Sequence, residues 1–106
     1  MVKRFEVYLI NLDERVTDDP RNTRPGVVIS PDEMNKFVEH VIIAPMASTN
    51  AKFPTRIPVE FLNAERFIIL DQIRSVDKER LVKKIGELNK KTAKAVLDLL
   101  HELFAE

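Results

Sequence analysis

Arg24 is the side chain of this sequence best suited to grip a phosphate. It precedes Pro25 and Gly26, two residues that re-aim a backbone, and a guanidinium stays charged and can hold a phosphate through two parallel bonds. From position alone an Arg before Pro is more often a solvated or salt-bridged loop cation. Further on, Ser48 and Thr49 offer hydroxyls in a small polar loop, although such residues also satisfy loop backbone groups. Lys52, Arg56 and Arg74 can form the local cationic patch that a neutral chain needs to hold nucleic acid. Phe53 is an aromatic that can stack on a base or join the core. Asp71 and Gln72 close an apolar run, where Asp71 can orient Arg24 or accept from a base amino group. Gln72 can read a base edge, and both can instead bond their own turn.

Several chemistries are not expected. His40 and His101 stand far apart, with no carboxylate at ligand spacing, so neither a metal nor another cofactor is expected. No glycine-rich phosphate cradle, nucleophile elbow or paired-carboxylate motif occurs. The absence of cysteine removes disulfides, thiolate zinc sites and thiol nucleophiles.

Composition sets the frame for these side chains. The 106 residues are 44% hydrophobic and 32% charged, which predicts one globular domain over residues 1–106. Formal net charge is zero, so any nucleic-acid binding must come from a patch rather than a global field. The apolar run from Phe5 to Ile10 is too short for a signal peptide or a membrane span. A cytoplasmic protein with no membrane partner is the expectation.

The elements that must position Arg24 and its neighbours follow in chain order. Residues 5–10 alternate β-formers and predict a strand with one buried face. Residues 11–23 are polar and charged and read as a long exposed loop, with Asp18 and Asp19 as carboxylates able to act as a base. Arg24-Pro25 opens a core strand through Val27-Val28-Ile29. Ser30, Pro31 and Glu33 then read as helix cap, first helical residue and capping-box partner of a short helix ending near Phe37. Val41-Ile42-Ile43-Ala44 is a buried strand that Pro45 should end. Residues 55–61 read as an edge strand, residues 62–65 as a turn, and residues 66–70 as a core strand. Val76 and Leu81 bracket Asp77 as a staple around a helix cap, predicting a helical turn from Lys78 to Ile85 that stops at Gly86. Asn89 caps a final helix whose Val96, Leu99, Leu100, Leu103 and Phe104 repeat at three and four. About five strands, two short helices and a C-terminal helix predict an α+β domain, a small twisted β-barrel with a helix packed on it.

The sequence resembles the MazF/PemK family of toxin ribonucleases. The likeness runs through Val7-Tyr8-Leu9, Asn11-Leu12-Asp13, Thr23-Arg24-Pro25 with Val27-Val28-Ile29-Ser30-Pro31, and Asn35. It continues through Ile43-Ala44-Pro45-Met46, Ser48-Thr49, Pro54-Thr55-Arg56, and Leu70-Asp71-Gln72-Ile73-Arg74-Ser75-Val76-Asp77. Their order and spacing carry the likeness rather than any one stretch. It implies an SH3-like barrel of the kind shared with the gyrase poison CcdB. It also implies metal-independent, sequence-selective cleavage of single-stranded RNA by 2′-hydroxyl attack. A homodimer and a cognate antitoxin peptide are the implied partners. In that setting Arg24 and Thr49 are the expected catalytic residues. Lys52, Phe53, Arg56, Asp71, Gln72 and Arg74 are the expected RNA contacts.

The sequence departs from the family pattern at three places. The family places a catalytic Thr directly after the Ala-Pro-Met-type strand, and here that position is Ala47. The first strand usually opens Arg-Gly-Asp or Arg-Gly-Glu, and here it is Arg4-Phe5-Glu6. The next loop, usually rich in Gly and Ser, reads Asp13-Glu14-Arg15-Val16-Thr17-Asp18-Asp19. The missing hydroxyl predicts weakened or absent turnover. An antitoxin- or RNA-binding module without turnover is the alternative, and a CcdB-like gyrase poison is a further one.

Overall fold

The computed structural model describes residues 1–11, 23–48 and 55–105. Among them are seven strands: β1 Glu6–Asn11, β2 Thr23–Val28, β3 His40–Ala47, β4 Arg56–Phe61, β5 Ala64–Ile69, β6 Arg74–Asp77 and β7 Leu81–Glu87. The helices are α1 Asp32–Phe37 and α2 Lys90–Phe104. The strands form one antiparallel sheet in the order β4-β5-β3-β2-β1-β7, with β6 paired to β3.

The sheet curls until its two outer strands meet through side chains. A Cβ built on Gly86 of β7 would stand 2.7 Å from Cζ of Phe61 on β4, so only glycine lets that ring lie against the strand. Together with α2, this is the twisted α+β barrel expected from the sequence.

Both faces of the central strands are covered, which is why their sequences are nearly continuous apolar runs. Val7, Val27, Ile29, Ala44, Met46, Ile68, Leu70 and Val96 form one core. Ile10, Val28, Val41, Ile43 and Val76 form a second, on the opposite face. The first strand therefore buries residues on two faces rather than one, with Val7 in the first core and Ile10 in the second. Val96 of α2 is fully buried against the first core, where Leu99 and Leu100 also pack. The expected apolar stripe is only partly seated, since Phe104 is 73% exposed in the chain alone.

Four local readings are corrected. Ser30 does not cap α1: its hydroxyl donates to Asn35 Oδ1 at 2.5 Å and accepts from Ile42 N at 3.0 Å, so Pro31 stands at the cap without a side-chain bond. Pro45 lies inside β3 rather than ending it. On one edge of β3 it falls between residues 40–43, which pair with β6, and residues 46–47, which pair with β5, and on the other edge it stands opposite Gly26 of β2. The turn between β4 and β5 is only Leu62-Asn63, both with positive φ (52° and 59°), as a two-residue hairpin demands. Residues 78–85 are not one helical turn: a 3-10 turn covers only Lys78–Arg80, and Leu81–Glu87 is a strand on the open edge of β1. Val76 likewise belongs to β6, opposite Val41. The strand count is thus seven among the described residues rather than five, and α1 is the one short α-helix beside α2.

Candidate functional site

Arg24 is the second residue of β2, across from Ile10 on β1. Its side chain is exposed, and Nη1 donates back to the carbonyl of Thr23 at 2.9 Å. The ladder between β2 and β3 runs Val28–Ile43, Val27–Ala44, Gly26–Pro45 and then stops. Beyond that rung β2 stays with β1, while Met46 and Ala47 pair with Ile68 and Phe67 of β5. Continued by two residues, the same register would set Arg24 opposite Ala47. The ladder ends one rung short of Pro25, which has no N–H to donate, and Arg24 and Ala47 lie two residues beyond the last rung on their respective strands.

On the far side of Ala47, the β4–β5 hairpin and the 3-10 turn Leu70–Gln72 supply the next groups. Asp71 Oδ1 accepts from Thr55 Oγ1 at 2.9 Å and stands 3.5 Å from Arg56 Nε. The Thr55 hydroxyl, and after it the Arg56 guanidinium, hold the Asp71 carboxyl below its ordinary range against the smaller upward push of desolvation. Arg56 is well packed, its side chain 14% exposed, whereas Asp71 is open to solvent. The carboxylate thus contacts Thr55 and Arg56. Gln72 follows in the same turn and is exposed, as is Arg74 at the start of β6.

Of the expected site residues, Arg56, Asp71 and Gln72 are therefore brought together at one end of the hairpin. Arg24 lies on β2, in the register that continues to Ala47. Thr49, Lys52 and Phe53 lie outside the described residues, as do Asp18 and Asp19. Two contributors escape a reading of the sequence. Thr55 sits in the motif Pro54-Thr55-Arg56, but nothing local marks its hydroxyl as the partner of Asp71. Phe67 reads as core and instead lines a cleft of about 530 Å³ with Arg56, Pro58, Val59, Glu60, Glu65 and Arg66. Among the described residues no three His, Cys, Asp or Glu side chains converge as metal ligands would. No described helix is long and apolar enough to cross a membrane.

The described residues form a small curled antiparallel barrel with the C-terminal helix α2 packed on it, the architecture of a compact toxin barrel among solved structures. The chain belongs to the PemK-like, MazF-like toxins of type II toxin–antitoxin systems, the family model matching residues 3–104. It is 35% identical over 102 residues to the endoribonuclease MazF of Staphylococcus saprophyticus, a match covering 91% of this chain and 85% of that protein. Solved structures share the fold at 19% identity. The Mycobacterium tuberculosis toxin MazF-mt6 matches with a TM-score of 0.78, over 93% of this chain and 95% of that one. A chain of the MazE–MazF structure from Deinococcus radiodurans matches with a TM-score of 0.79, over 98% and 95%.

Proposed function

We propose that this toxin is a metal-independent endoribonuclease that cuts single-stranded RNA through attack of the 2′-hydroxyl, and that Ala47 slows it. The observation that carries the reading is the exposed Arg24 on β2, two residues beyond the last β2–β3 rung and in register with Ala47, in a chain of this family. A fixed guanidinium there stabilises the doubly charged phosphorane that forms as the 2′-oxygen attacks. Arg56, steered by Asp71, supports the strand further along, and Gln72 and Arg74 lie at the same end. Thr49, Lys52 and Phe53 complete the proposed set of contacts. The methyl group of Ala47 supplies no donor, so one contribution to charge stabilisation is missing.

The proposed setting is the cytoplasm, where the toxin forms a homodimer and is held by a cognate antitoxin peptide. Incubation of the purified protein with a long single-stranded RNA, in the presence of chelator, tests the activity. Discrete fragments with 2′,3′-cyclic phosphate ends, lost in Arg24→Ala, are expected. RNA left intact at enzyme excess, with binding retained, would favour a binding module without turnover.

A further inference from the structure

Phe67 is an aromatic residue on a strand whose neighbours are core, yet among the described residues it packs on neither apolar cluster. It is half-buried and lines the cleft on the β4–β5 hairpin. Two ladders fix which way it faces. Phe67 is directly across from Ala47 on β3 and from Pro58 on β4. Directly opposed residues of antiparallel strands share a face. Ala47, Phe67 and Pro58 therefore form one row on one face of the sheet, and the β2–β3 register continued by two residues sets Arg24 at its start. On β4 the neighbours of Pro58 in this file are Arg56 and Glu60, two residues away on either side.

The charges along this file are polarised. Arg56 stands at one end, nearest Asp71 and Thr55. At the other end Glu60 and Glu65 face each other directly across the hairpin. Two opposed carboxylates repel a phosphate as well as each other. Arg66, which also lines the cleft, follows Glu65 and donates its Nε to the Phe61 carbonyl at 3.2 Å, so a nucleotide entering the cleft keeps its sugar-phosphate toward Arg56 and its base over the middle. The middle is Phe67 with Pro58 across from it, and the row continues outside the cleft to Ala47 on β3. A volume of about 530 Å³ lies within the range of small-ligand sites.

We propose that Phe67 is a base-stacking platform that sets which base the RNA places next to Ala47 and Arg24, with a preference for purine over uracil. The proposal rests on the ribonuclease reading above and adds a specificity residue to it. Purines present the larger π-face, and stacking on an aromatic side chain is tolerant of base edges but sensitive to that area.

The test uses 2′-O-methyl oligoadenylate, which cannot be cut, carrying a single 2-aminopurine moved along the strand. With the wild-type protein, one position is expected to change emission through stacking, and oligoadenylate to bind more tightly than oligouridylate. Phe67→Leu keeps apolar bulk and removes the π-face. It should lose the emission change, weaken oligoadenylate binding roughly five- to 150-fold, and narrow the gap to oligouridylate. Its dependence on salt should stay as in wild type, because no phosphate contact is lost. Phe67→Trp should restore both signals, which a merely structural role would not give. If Phe67→Leu melts as an unfolded chain, an abasic site at the responsive position should weaken binding to the wild-type protein by a similar factor. Unchanged emission and affinity in folded Phe67→Leu, or an abasic site without effect, would overturn the proposal while leaving the ribonuclease reading intact. No binding of either oligomer by wild type would instead remove the ribonuclease reading, and the platform with it.

Discussion

Asp71 holds Arg56 through a single shared oxygen: Oδ1 lies 3.5 Å from the guanidinium Nε and takes the Thr55 hydroxyl at 2.9 Å. A short 3-10 turn at the end of β5 is thereby tied to the first residue of the edge strand β4. The cation that edges the cleft is aimed by a carboxylate that is itself aimed by a hydroxyl.

The charge of that carboxylate has a pH signature. Its folded-state pKa lies below the ordinary 3.8, first because of Thr55 and then Arg56. Its stabilisation is therefore complete above the unfolded value and is lost as pH falls through the lower folded one. Asp71→Asn keeps an acceptor and removes the charge. At pH 7 it should cost less than about 1 kcal/mol, since the pair is open to solvent. In urea titrations the difference should close on acidification below that range. A gap that persists unchanged in acid would mean that packing, not charge, does the holding.

Phe5 carries a backbone conformation that favours glycine. Its φ is 71°, and its backbone is locked on both sides: its N–H donates to Val28 O at 2.7 Å, and its carbonyl accepts from Leu88 N at 2.9 Å. The ring lies against the first core, with the Arg4 guanidinium carbon 5.5 Å from its centroid. The contact with the core offsets a left-handed backbone that costs an L-residue roughly 1–2 kcal/mol. Phe5→Gly and Phe5→Ala both lose the ring, but only glycine relaxes the backbone. The glycine variant should be the more stable of the two by about 1 kcal/mol, the reverse of the usual order. Thermal melts that rank alanine above glycine would show that the strain is not there.

The central strands and the last helix are legible in the sequence because their signals are local. Val27-Val28-Ile29 and Val41-Ile42-Ile43 are β-branched runs buried on both faces, and Asn89 accepts from Thr92 N at 2.8 Å as the cap that its position announces. The strand β7 is not legible. Leu81 and Ile85 are four apart and precede Gly86, which spells a helical turn with its stop. What makes the segment a strand lies far away in sequence: the free edge of β1 and the ring of Phe61. The site divides in the same way. Arg24, Asp71 and Gln72 stand out as polar groups at the ends of apolar runs. The link from Asp71 to Arg56 and the outward face of Phe67 depend on how β3, β4 and β5 register, which no local pattern records.

Gly86 offers a direct check of barrel closure. A methyl group there would meet Phe61 Cζ at 2.7 Å, closer than van der Waals contact allows, so the Phe61 ring or one of the two outer strands must shift. Gly86→Ala should cost about 1–3 kcal/mol, the range for overpacking. In a Phe61→Leu background the same change should cost clearly less, because the ring edge that it strikes is gone. A double-mutant cycle with no coupling between the two sites would place the closure elsewhere.

By the resemblance drawn from the sequence, Ala47 takes the place of a threonine. Ala47 is the last residue of β3, across from Phe67 and two residues beyond the last rung that joins β3 to β2, the strand carrying Arg24. A threonine side chain at this position shares the face of Phe67 and, in the continued register, that of Arg24. Removing one donor aimed at developing charge in a transition state typically costs on the order of a hundredfold to a thousandfold in rate. Ala47→Thr should therefore raise RNA cleavage by about that factor, measured in single-turnover reactions, and leave affinity for uncleavable RNA nearly unchanged. The gain should vanish when Arg24→Ala is added, because both groups act on one phosphate. Cleavage by the original protein already at the rate of Ala47→Thr would show that its oxyanion donors come from elsewhere in the chain. An inert Ala47→Thr would move the defect to residues 13–19, where the sequence also departs from the family.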